Sequence, residues 1–267
     1  MANRTNRTVR DLLPSERREQ IYNEIVKRHT VTIAELAQLF SVSEMTIRRD
    51  LQAIEKTGLI EAVFGGAVAA AASPFELSFA QREMMEVEAK RAIGYAAAQL
   101  VADGDTIALD GSTTTLQLAR NLRNRENLTV FTNGIKVAAE LGHRNGIRLI
   151  MTGGELYHSV SLVGTFARQT VERIRVDKLF FSVTGITEEM GLSGPSDLDA
   201  EIKAAMIRAA DTVVLLADHT KFGRKSYVRV AQLDEVDVIV TDNKVNPEHV
   251  KRLEQEGIRV IVSAPAA

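Results

Sequence analysis

The 267-residue chain contains no cysteine and no tryptophan, and only 5% of its residues are aromatic. The absence of cysteine excludes disulfide bonds, thiolate catalysis and cysteine-ligated zinc. No apolar run reaches the length of a membrane-spanning helix, and the first 20 residues lack the apolar stretch of a signal peptide. We therefore expect no membrane partner and a cytoplasmic location.

Motifs that bind metals or dinucleotides are also missing. The five histidines are scattered, without a spacing such as HExxH that places two imidazoles on one helix face. No GxGxxG run follows a predicted strand, so a nicotinamide site has no support. The sequence therefore predicts neither a metal centre nor a cofactor.

The remaining composition is that of an ordinary globular protein, with 45% hydrophobic and 25% charged residues and a net charge of −2. Its length favours two domains. A run of small residues ending in proline, AVAAAASP at 67–74, separates two differently patterned halves. We expect a basic arm at 1–14, a small helical domain at 15–68, a linker at 69–75 and a larger domain at 76–267.

The small domain is predicted to begin with two short helices. Ser15 is the candidate N-cap of the first. Thr32 precedes the second, and Glu35 stands three residues later, the spacing of a capping box in which each side chain satisfies a backbone donor. The second helix is expected to carry Leu36, Leu39 and Phe40.

A third helix follows the tight SVS connection. Ser43 is its predicted N-cap, apolar residues recur at Ile47, Leu51 and Ile54, and Gly58 ends it. The segment LIEAVFGGAV then alternates like two strands around a glycine pair, which predicts a β wing. A winged helix-turn-helix places its third helix in the major groove of DNA.

The first turns of this third helix carry side chains that suit DNA. Arginine reads guanine through two hydrogen bonds or grips phosphate, and a helix N-terminus with hydroxyl groups can hold a phosphate oxygen. The candidate DNA-binding residues are Thr32, Ser43, Glu44, Met45, Thr46, Arg48 and Arg49. The alternative is an ordinary solvated face, on which Glu44 and Arg48 form a surface ion pair.

In the large domain, short β-rich runs alternate with helical patterns. Seven runs are nearly all apolar, as strands covered by helices on both faces should be: TIALD, LTVFT, IRLIMT, KLFFSVT, TVVLLAD, VDVIVTD and IRVIV. We therefore predict an α/β fold with a mostly parallel open sheet. Ligands of such sheets bind at the carboxyl ends of the strands.

Polar residues and glycines follow these runs. In DGSTTT, residues 110–115, a glycine, successive N–H groups and hydroxyls at a helix N-terminus suit a phosphate. Ordinary helix capping by serine and threonine is the alternative. Lys203 and Lys221 are candidate counter-charges, with ordinary solvated lysines as the alternative.

Two sets of motifs resemble one known family. The stretch ELAQLFSVSEMTIRRDLQAIEKTGLI, followed by FGGA, is similar to the DNA-binding signature of the DeoR family of bacterial transcription regulators. DGDTIALDGSTTT, TVFTNGIKVAAEL, MTGGEL, EIKAAMI and LLADHTKFG are similar to the effector-sensing domain of that family. The resemblance implies a sugar-phosphate-isomerase-like fold for the large domain and a phosphorylated sugar as its ligand.

The resemblance also implies the residues of an effector pocket: Asp110, Gly111, Ser112, Thr113, Thr114, Asn133, Gly153, Gly154, Lys203, Asp218 and Lys221. The wing departs from the family pattern, because Ala62 and Phe64 stand where a basic residue and a histidine are usual. The loop departs too, because family members commonly have SGTTT where this chain has Asp110, Gly111, Ser112 and Thr113.

These patterns predict a DNA-binding repressor of a carbohydrate-utilisation operon, whose operator binding is controlled by a phosphorylated sugar. A homo-oligomer, dimer or tetramer, is expected because a lone winged helix contacts few bases. The alternative is a sugar-phosphate isomerase with an appended helical domain. Asp110, Asp218 and Lys221 have adequate chemistry for that reaction, but the helix-turn-helix favours a regulator over an enzyme.

Overall fold

The computed structural model describes residues 13–28, 30–63, 65–69, 79–158 and 160–264. The chain divides into two compact units, Met1–Val87 and Glu88–Ala267. Residues up to Val87 group with the first unit, whereas the sequence pattern assigned residues from 76 onward to the effector domain. Most of the predicted arm and linker lies outside the described residues. Within the described ranges, no helix has the length and apolar character needed to cross a membrane.

The described part of the first unit contains four helices and an antiparallel sheet of order β1-β3-β2. The helices are α1 (Pro14–Arg28), α2 (Ile33–Phe40), α3 (Glu44–Glu55) and α4 (Phe79–Met84), and the strands are β1 (Thr30–Thr32), β2 (Ile60–Val63) and β3 (Gly66–Ala69). The predicted winged helix-turn-helix is therefore confirmed. Ser15 is not the N-cap of α1: the helix already begins at Pro14, whose missing N–H suits the first helical position.

The two predicted caps are present. Glu35 N donates to Thr32 Oγ1 at 3.2 Å while Thr32 N donates to Glu35 Oε2 at 2.8 Å, which confirms the capping box of α2. Ser43 Oγ accepts from Thr46 N at 3.2 Å and caps α3. Leu36 and Phe40 of α2 are buried, whereas Leu39 is 43% exposed, because the short helix α2 contacts the core only along a narrow stripe.

A buried carboxylate joins α1 to α3. Asp50, 3% exposed, lies on the inner face of α3, three residues after Ile47. Its two oxygens accept hydrogen bonds from Arg17 Nε at 2.6 Å and Arg18 Nε at 3.2 Å. Because both arginines belong to α1, this cluster fixes the third helix against the first.

Replacing Asp50 with alanine should destabilise the first unit by about 3 kcal/mol, because it leaves a largely buried Arg17 guanidinium without its acceptor. Hydrogen-exchange mass spectrometry of α1 and α3 would measure the loss. As a control, Glu44→Ala removes only an exposed pair with Arg48 and should cost less than about 1 kcal/mol. Equal exchange rates in the two variants would contradict the clamping role of Asp50.

The second unit is built on a seven-stranded parallel sheet. Its strands are β4 (Thr106–Leu109), β5 (Leu128–Thr132), β6 (Ile147–Met151), β9 (Val176–Phe181), β12 (Ala210–Leu216), β14 (Val238–Asp242) and β15 (Arg259–Ser263). Each of the seven predicted runs supplies one of them, so the predicted fold class is confirmed. The sheet order is β15-β14-β12-β9-β4-β5-β6.

Helices and two small antiparallel sheets complete the described part of this unit. The helices are α5 (Val87–Ala98), α6 (Thr113–Arg120), α7 (Ile135–Leu141), α8 (Gly164–Val171), α9 (Asp197–Ala209) and α10 (Pro247–Gln255). The small sheets are β7 (Glu155–Tyr157) with β8 (Ser161–Val163), and β10 (Gly185–Thr187) with β11 (Gly191–Gly194) and β13 (Val228–Ala231). One core cluster contains the fully buried Phe181, Leu215 and Ile239.

Candidate functional site

The strand order reverses between β4 and β9. From β4 the chain first builds β5 and β6 on one side, and then returns to the other side to build β9, β12, β14 and β15. A ligand crevice of an open parallel sheet lies at such a reversal, outside the carboxyl ends of the two strands. Topology therefore places the candidate effector site above β4 and β9.

Asp110 is the first residue after β4 and is almost fully buried. Its Oδ1 accepts from Ser112 N at 3.1 Å and from Thr115 Oγ1 at 2.5 Å. Its Oδ2 accepts from Ser182 N at 3.1 Å, across the strand reversal, and lies 3.5 Å from Lys203 Nζ. Four donors thus surround this carboxylate, which holds the crevice loops and one lysine in place.

Two glycines allow the loops after β4 and β5 to touch. A Cβ on Gly134 would stand 2.6 Å from the Cα of Gly111, and a Cβ on Gly111 would stand 2.3 Å from Ser161 Oγ. At Gly134 a side chain would require the backbone of Gly111 to move, and at Gly111 it would require the Ser161 side chain to move. Gly111, one of the predicted pocket residues, therefore acts through close backbone packing.

The loop 110–115 opens α6 with unused backbone donors. Ser112 is the N-cap and accepts from Thr115 N at 3.1 Å, while Ser112 N is bonded to Asp110. The N–H groups of Thr113 and Thr114 occupy the first helical turn, where no intrahelical acceptor exists. The helix dipole adds positive potential at the same point. The arrangement suits an anionic oxygen, as the sequence predicted for this loop.

Two buried acceptor oxygens at the carboxyl edge have no hydrogen-bond partner among the described residues. One is Asn133 Oδ1, on a side chain whose Nδ2 donates to Leu162 O at 3.1 Å. The other is Asp218 Oδ2, with Lys221 Nζ at 3.7 Å. A buried oxygen without a donor is costly, so each is suited to accept a hydroxyl proton from a ligand.

Three lysines contribute positive charge around this edge. Lys203 lies 2.7 Å from Asp199 Oδ2 as well as beside Asp110. Burial raises the pKa of Asp218, but the charge of Lys221, hydrogen bonds from Thr220 and the charge of Lys90 lower it further, so the pKa lies below its ordinary value. Asp218 is therefore an anion held between cations.

The predicted pocket residues do not all lie together. Neighbouring strands are separated by about 4.8 Å, so the carboxyl ends of β5 and β12, three steps apart, are about 14 Å from each other. Asn133 and Asp218 thus mark opposite sides of the crevice. Gly153 and Gly154 follow the edge strand β6, where both have positive φ and turn the chain into β7, a role in backbone geometry.

Sequence reasoning missed Lys90 and Ser182. Lys90 is 4% exposed on α5, and its charge acts on Asp218. A signal was present in the sequence, because Lys90 shares a helix face with the apolar Ile93 and Ala97, at i+3 and i+7. Ser182 contributes its backbone N–H, and that contact depends on the β4–β9 pairing, which no local pattern encodes.

The candidate DNA-binding residues lie around the start of α3. Ser43, Glu44, Met45, Arg48 and Arg49 are exposed, and Thr46 is partly buried. Arg48 lies 3.8 Å from Glu44, a weak exposed pair. The hydroxyls of Ser43 and Thr46 are bonded to each other at 2.9 Å, so one of their two protons remains free for a phosphate oxygen.

Thr32 differs from the other candidates. Its hydroxyl donates to Glu35 Oε2 at 2.7 Å and accepts from Glu35 N. The only hydroxyl proton is therefore already used, and the side chain of Thr32 stabilises the start of α2.

The wing is the β2–β3 hairpin with β1 on its outer edge. Gly66 is required there, because a Cβ would stand 2.1 Å from Val31 O on the neighbouring strand. Ala62, one of the two departures from the family pattern, is exposed on β2. Phe64, the other departure, lies outside the described residues.

A winged helix-turn-helix joined to a parallel α/β unit whose crevice contains lysines and buried carboxylates defines a transcriptional regulator with a sensor domain. Residues 17–72 match the DeoR-like helix-turn-helix domain, and residues 85–243 match the DeoR C-terminal sensor domain. The chain belongs to the DeoR family and is a DNA-binding transcriptional regulator.

Similar proteins span nearly its whole length. The uncharacterized HTH-type transcriptional regulator YulB of Bacillus subtilis (strain 168) is 37% identical, over 93% of this chain and 96% of the relative. The HTH-type transcriptional repressor GlcR of the same organism is 34% identical, over 90% and 93%. Among solved structures, ribose 5-phosphate isomerase A of Methanocaldococcus jannaschii overlaps 50% of this chain and 53% of its own, at 18% identity and a TM-score of 0.37.

Proposed function

We propose that this regulator is a repressor of a carbohydrate-utilisation operon and that a phosphorylated sugar in the crevice controls its operator binding. The observation that carries the proposal is the gathering of buried cations and unpartnered oxygens at the carboxyl edge of the sheet. Buried lysines are rare unless something anionic lies nearby. Similarity to a protein named as a transcriptional repressor supports repression of the operon over activation.

The two chemical halves of a phosphorylated sugar fit different parts of the crevice. Phosphate oxygens accept from the N–H groups of Thr113 and Thr114, with Lys203 supplying opposite charge. Sugar hydroxyls donate to the oxygens that lack a partner, Asn133 Oδ1 or Asp218 Oδ2. Lys90 and Lys221 hold Asp218 ionised, so that it remains an acceptor.

We propose that the protein is not an enzyme, and the surroundings of Asp110 argue against that residue as a general base. A general base needs a free lone pair aimed at the proton it removes. Asp110 is surrounded by four donors from the protein itself. The carboxylate at the centre of the crevice therefore positions other groups.

Ligand and DNA are coupled only if the ligand binds the two operator-affinity states unequally. We propose a homo-oligomer, dimer or tetramer, in which paired winged helices read two half-sites of double-stranded DNA. A cytoplasmic location follows from such a partner.

A gel shift with the DNA upstream of the gene tests the DNA half of the proposal. An isomerase with an appended helical domain would not retard that DNA.

Thermal unfolding with a panel of phosphorylated sugars tests the ligand half. A binding sugar phosphate at 100 times its Kd stabilises the folded state by about 2.7 kcal/mol, which corresponds to roughly 5–10 °C in Tm for a unit of this size. Lys90→Met should remove most of that rise, whereas Lys251→Met, which replaces an exposed lysine of α10, should not. A rise that Lys90→Met leaves unchanged would place the ligand outside this crevice.

A further inference from the structure

A second cavity lies in the sensor unit, away from the crevice. It is a groove of about 550 Å³, within the usual range for small-molecule sites. Its principal lining residues are Tyr95, Gln99, Arg120, Arg123, Asn124 and Arg125. We call it the arginine groove.

The arginine groove lies beside a close approach of α5 to α6. A Cβ on Gly94 would stand 2.6 Å from the backbone of Gln117, so only glycine permits this approach. The groove is lined by residues at the C-terminal ends of α5 and α6 and in the loop after α6. α6 starts at the crevice and is eight residues long, so the groove lies about 12 Å away, towards the amino ends of the strands.

The charge of the groove is one-sided. Three arginines line it and no carboxylate does. Arg120 Nε lies 3.8 Å from Glu140 Oε2, and Glu140 is also engaged by Arg144 at 2.8 Å. Within the described residues Arg123 has neither a hydrogen bond nor an ion pair. Compensation of the helix dipole explains a cation in the last turn of α6, but not two more in the following loop.

The rest of the lining adds a flat surface and hydrogen-bonding amides. Tyr95 is 62% exposed on α5, so one ring face is open for stacking. Gln99 and Asn124 are exposed beside it and present both donors and acceptors. Arg125 is held in position, because its Nη2 donates to Ala98 O at 3.1 Å.

We propose that the arginine groove binds a nucleoside triphosphate or diphosphate, with its base against Tyr95 and its phosphates against the arginines. The guanidinium group of arginine forms paired hydrogen bonds with phosphate oxygens, and an aromatic ring can stack on any nucleobase. The amides beside the ring meet the polar edge of the base. The proposal does not depend on the ligand of the crevice, since the two sites share no residue.

Isothermal titration calorimetry of the full-length protein with ATP, pyrophosphate and adenosine, without magnesium and at low salt, tests this site. One ATP should bind per chain, and pyrophosphate and adenosine should bind more weakly. Arg123→Ala should weaken ATP and pyrophosphate alike, by about tenfold, because it removes a phosphate contact. Tyr95→Ala should weaken ATP by about tenfold and leave pyrophosphate unchanged, because it removes only the stacking surface.

Controls distinguish this groove from the rest of the surface and from the crevice. Tyr227→Ala and Arg173→Ala replace exposed residues elsewhere in the unit and should leave ATP binding unchanged. Ser112→Asp, which alters the crevice, should leave it unchanged too. The proposal is overturned if ATP does not bind, if binding withstands both groove variants, or if Ser112→Asp abolishes it.

Discussion

Replacing Arg48 and Arg49 together with alanine should lower operator affinity about 100-fold or more. Each arginine that reads a base or grips a phosphate contributes roughly 1–3 kcal/mol, and both stand on the exposed side of the first turns of α3. The fold should survive, because Arg48 has only its 3.8 Å pair with Glu44 and Arg49 has no hydrogen bond or ion pair among the described residues. Fluorescence anisotropy with labelled upstream DNA measures the loss.

Lys56 offers a matched control for the two arginines. It is an exposed cation at the other end of the same helix, about 12 Å from Arg48 along the axis. Lys56→Ala should change affinity by a few-fold at most. If the double variant bound the operator as tightly as Lys56→Ala does, the start of α3 would not be the surface that meets DNA.

The single variants distinguish a base contact from a phosphate contact. Loss of a phosphate contact reduces the slope of log affinity against log salt by about 0.9 and weakens all sequences alike. Loss of a base contact leaves the slope nearly unchanged and relaxes preference at one base pair. Salt titrations of Arg48→Ala and Arg49→Ala therefore assign each side chain its role.

The strands of the sensor unit were predictable because a strand that is buried on both faces needs apolar residues at nearly every position. Runs such as TIALD and TVVLLAD have almost no polar position, and each one lies in the parallel sheet. The caps at Thr32 and Ser43 were predictable for a similar reason, since a cap requires only residues within one turn. Local physics reached these features without knowledge of the fold.

Residues whose role comes from distant neighbours were harder to find. Asp50 reads as part of a charged RRD triplet, yet its position three residues after Ile47 places it inside, where Arg17 and Arg18 meet it. Lys90 belongs to a highly charged stretch, and only its spacing to Ile93 shows that it faces inward. In both cases the charge of the side chain suggested an exposed position, whereas the helical spacing to apolar residues indicated a buried one. The structure agrees with the spacing.

The sequence predicted which loops form the centre of the crevice, but not the distances between their residues. The sequence shows which polar residues follow each strand. The distances between those residues depend on the order of the strands in the sheet, β12-β9-β4-β5. That order depends on a pairing between β4 and β9, whose partners are about 70 residues apart in the chain. Asp110 therefore read as a ligand contact, although its lone pairs are occupied by Ser182 N and other donors.

Replacing Ser112 with aspartate should make operator binding insensitive to the sugar phosphate. Aspartate caps helices as well as serine does, so α6 should keep its hydrogen bond to Thr115 N. The new charge faces the proposed phosphate position, and two like charges about 4 Å apart repel by roughly 4 kcal/mol at an effective dielectric constant of 20. Ligand affinity should therefore fall about 1000-fold, while ligand-free operator binding should stay as in the unaltered protein.

Ser112→Asn is the decisive comparison, because asparagine has the size and capping ability of aspartate without its charge. It should retain the ligand-induced rise in Tm and the ligand-induced change in operator affinity, within about tenfold in ligand concentration. If both variants lost the response equally, the cause would be steric and not electrostatic. If Ser112→Asp responded normally, the phosphate would have to bind elsewhere, because a carboxylate at contact distance would repel it.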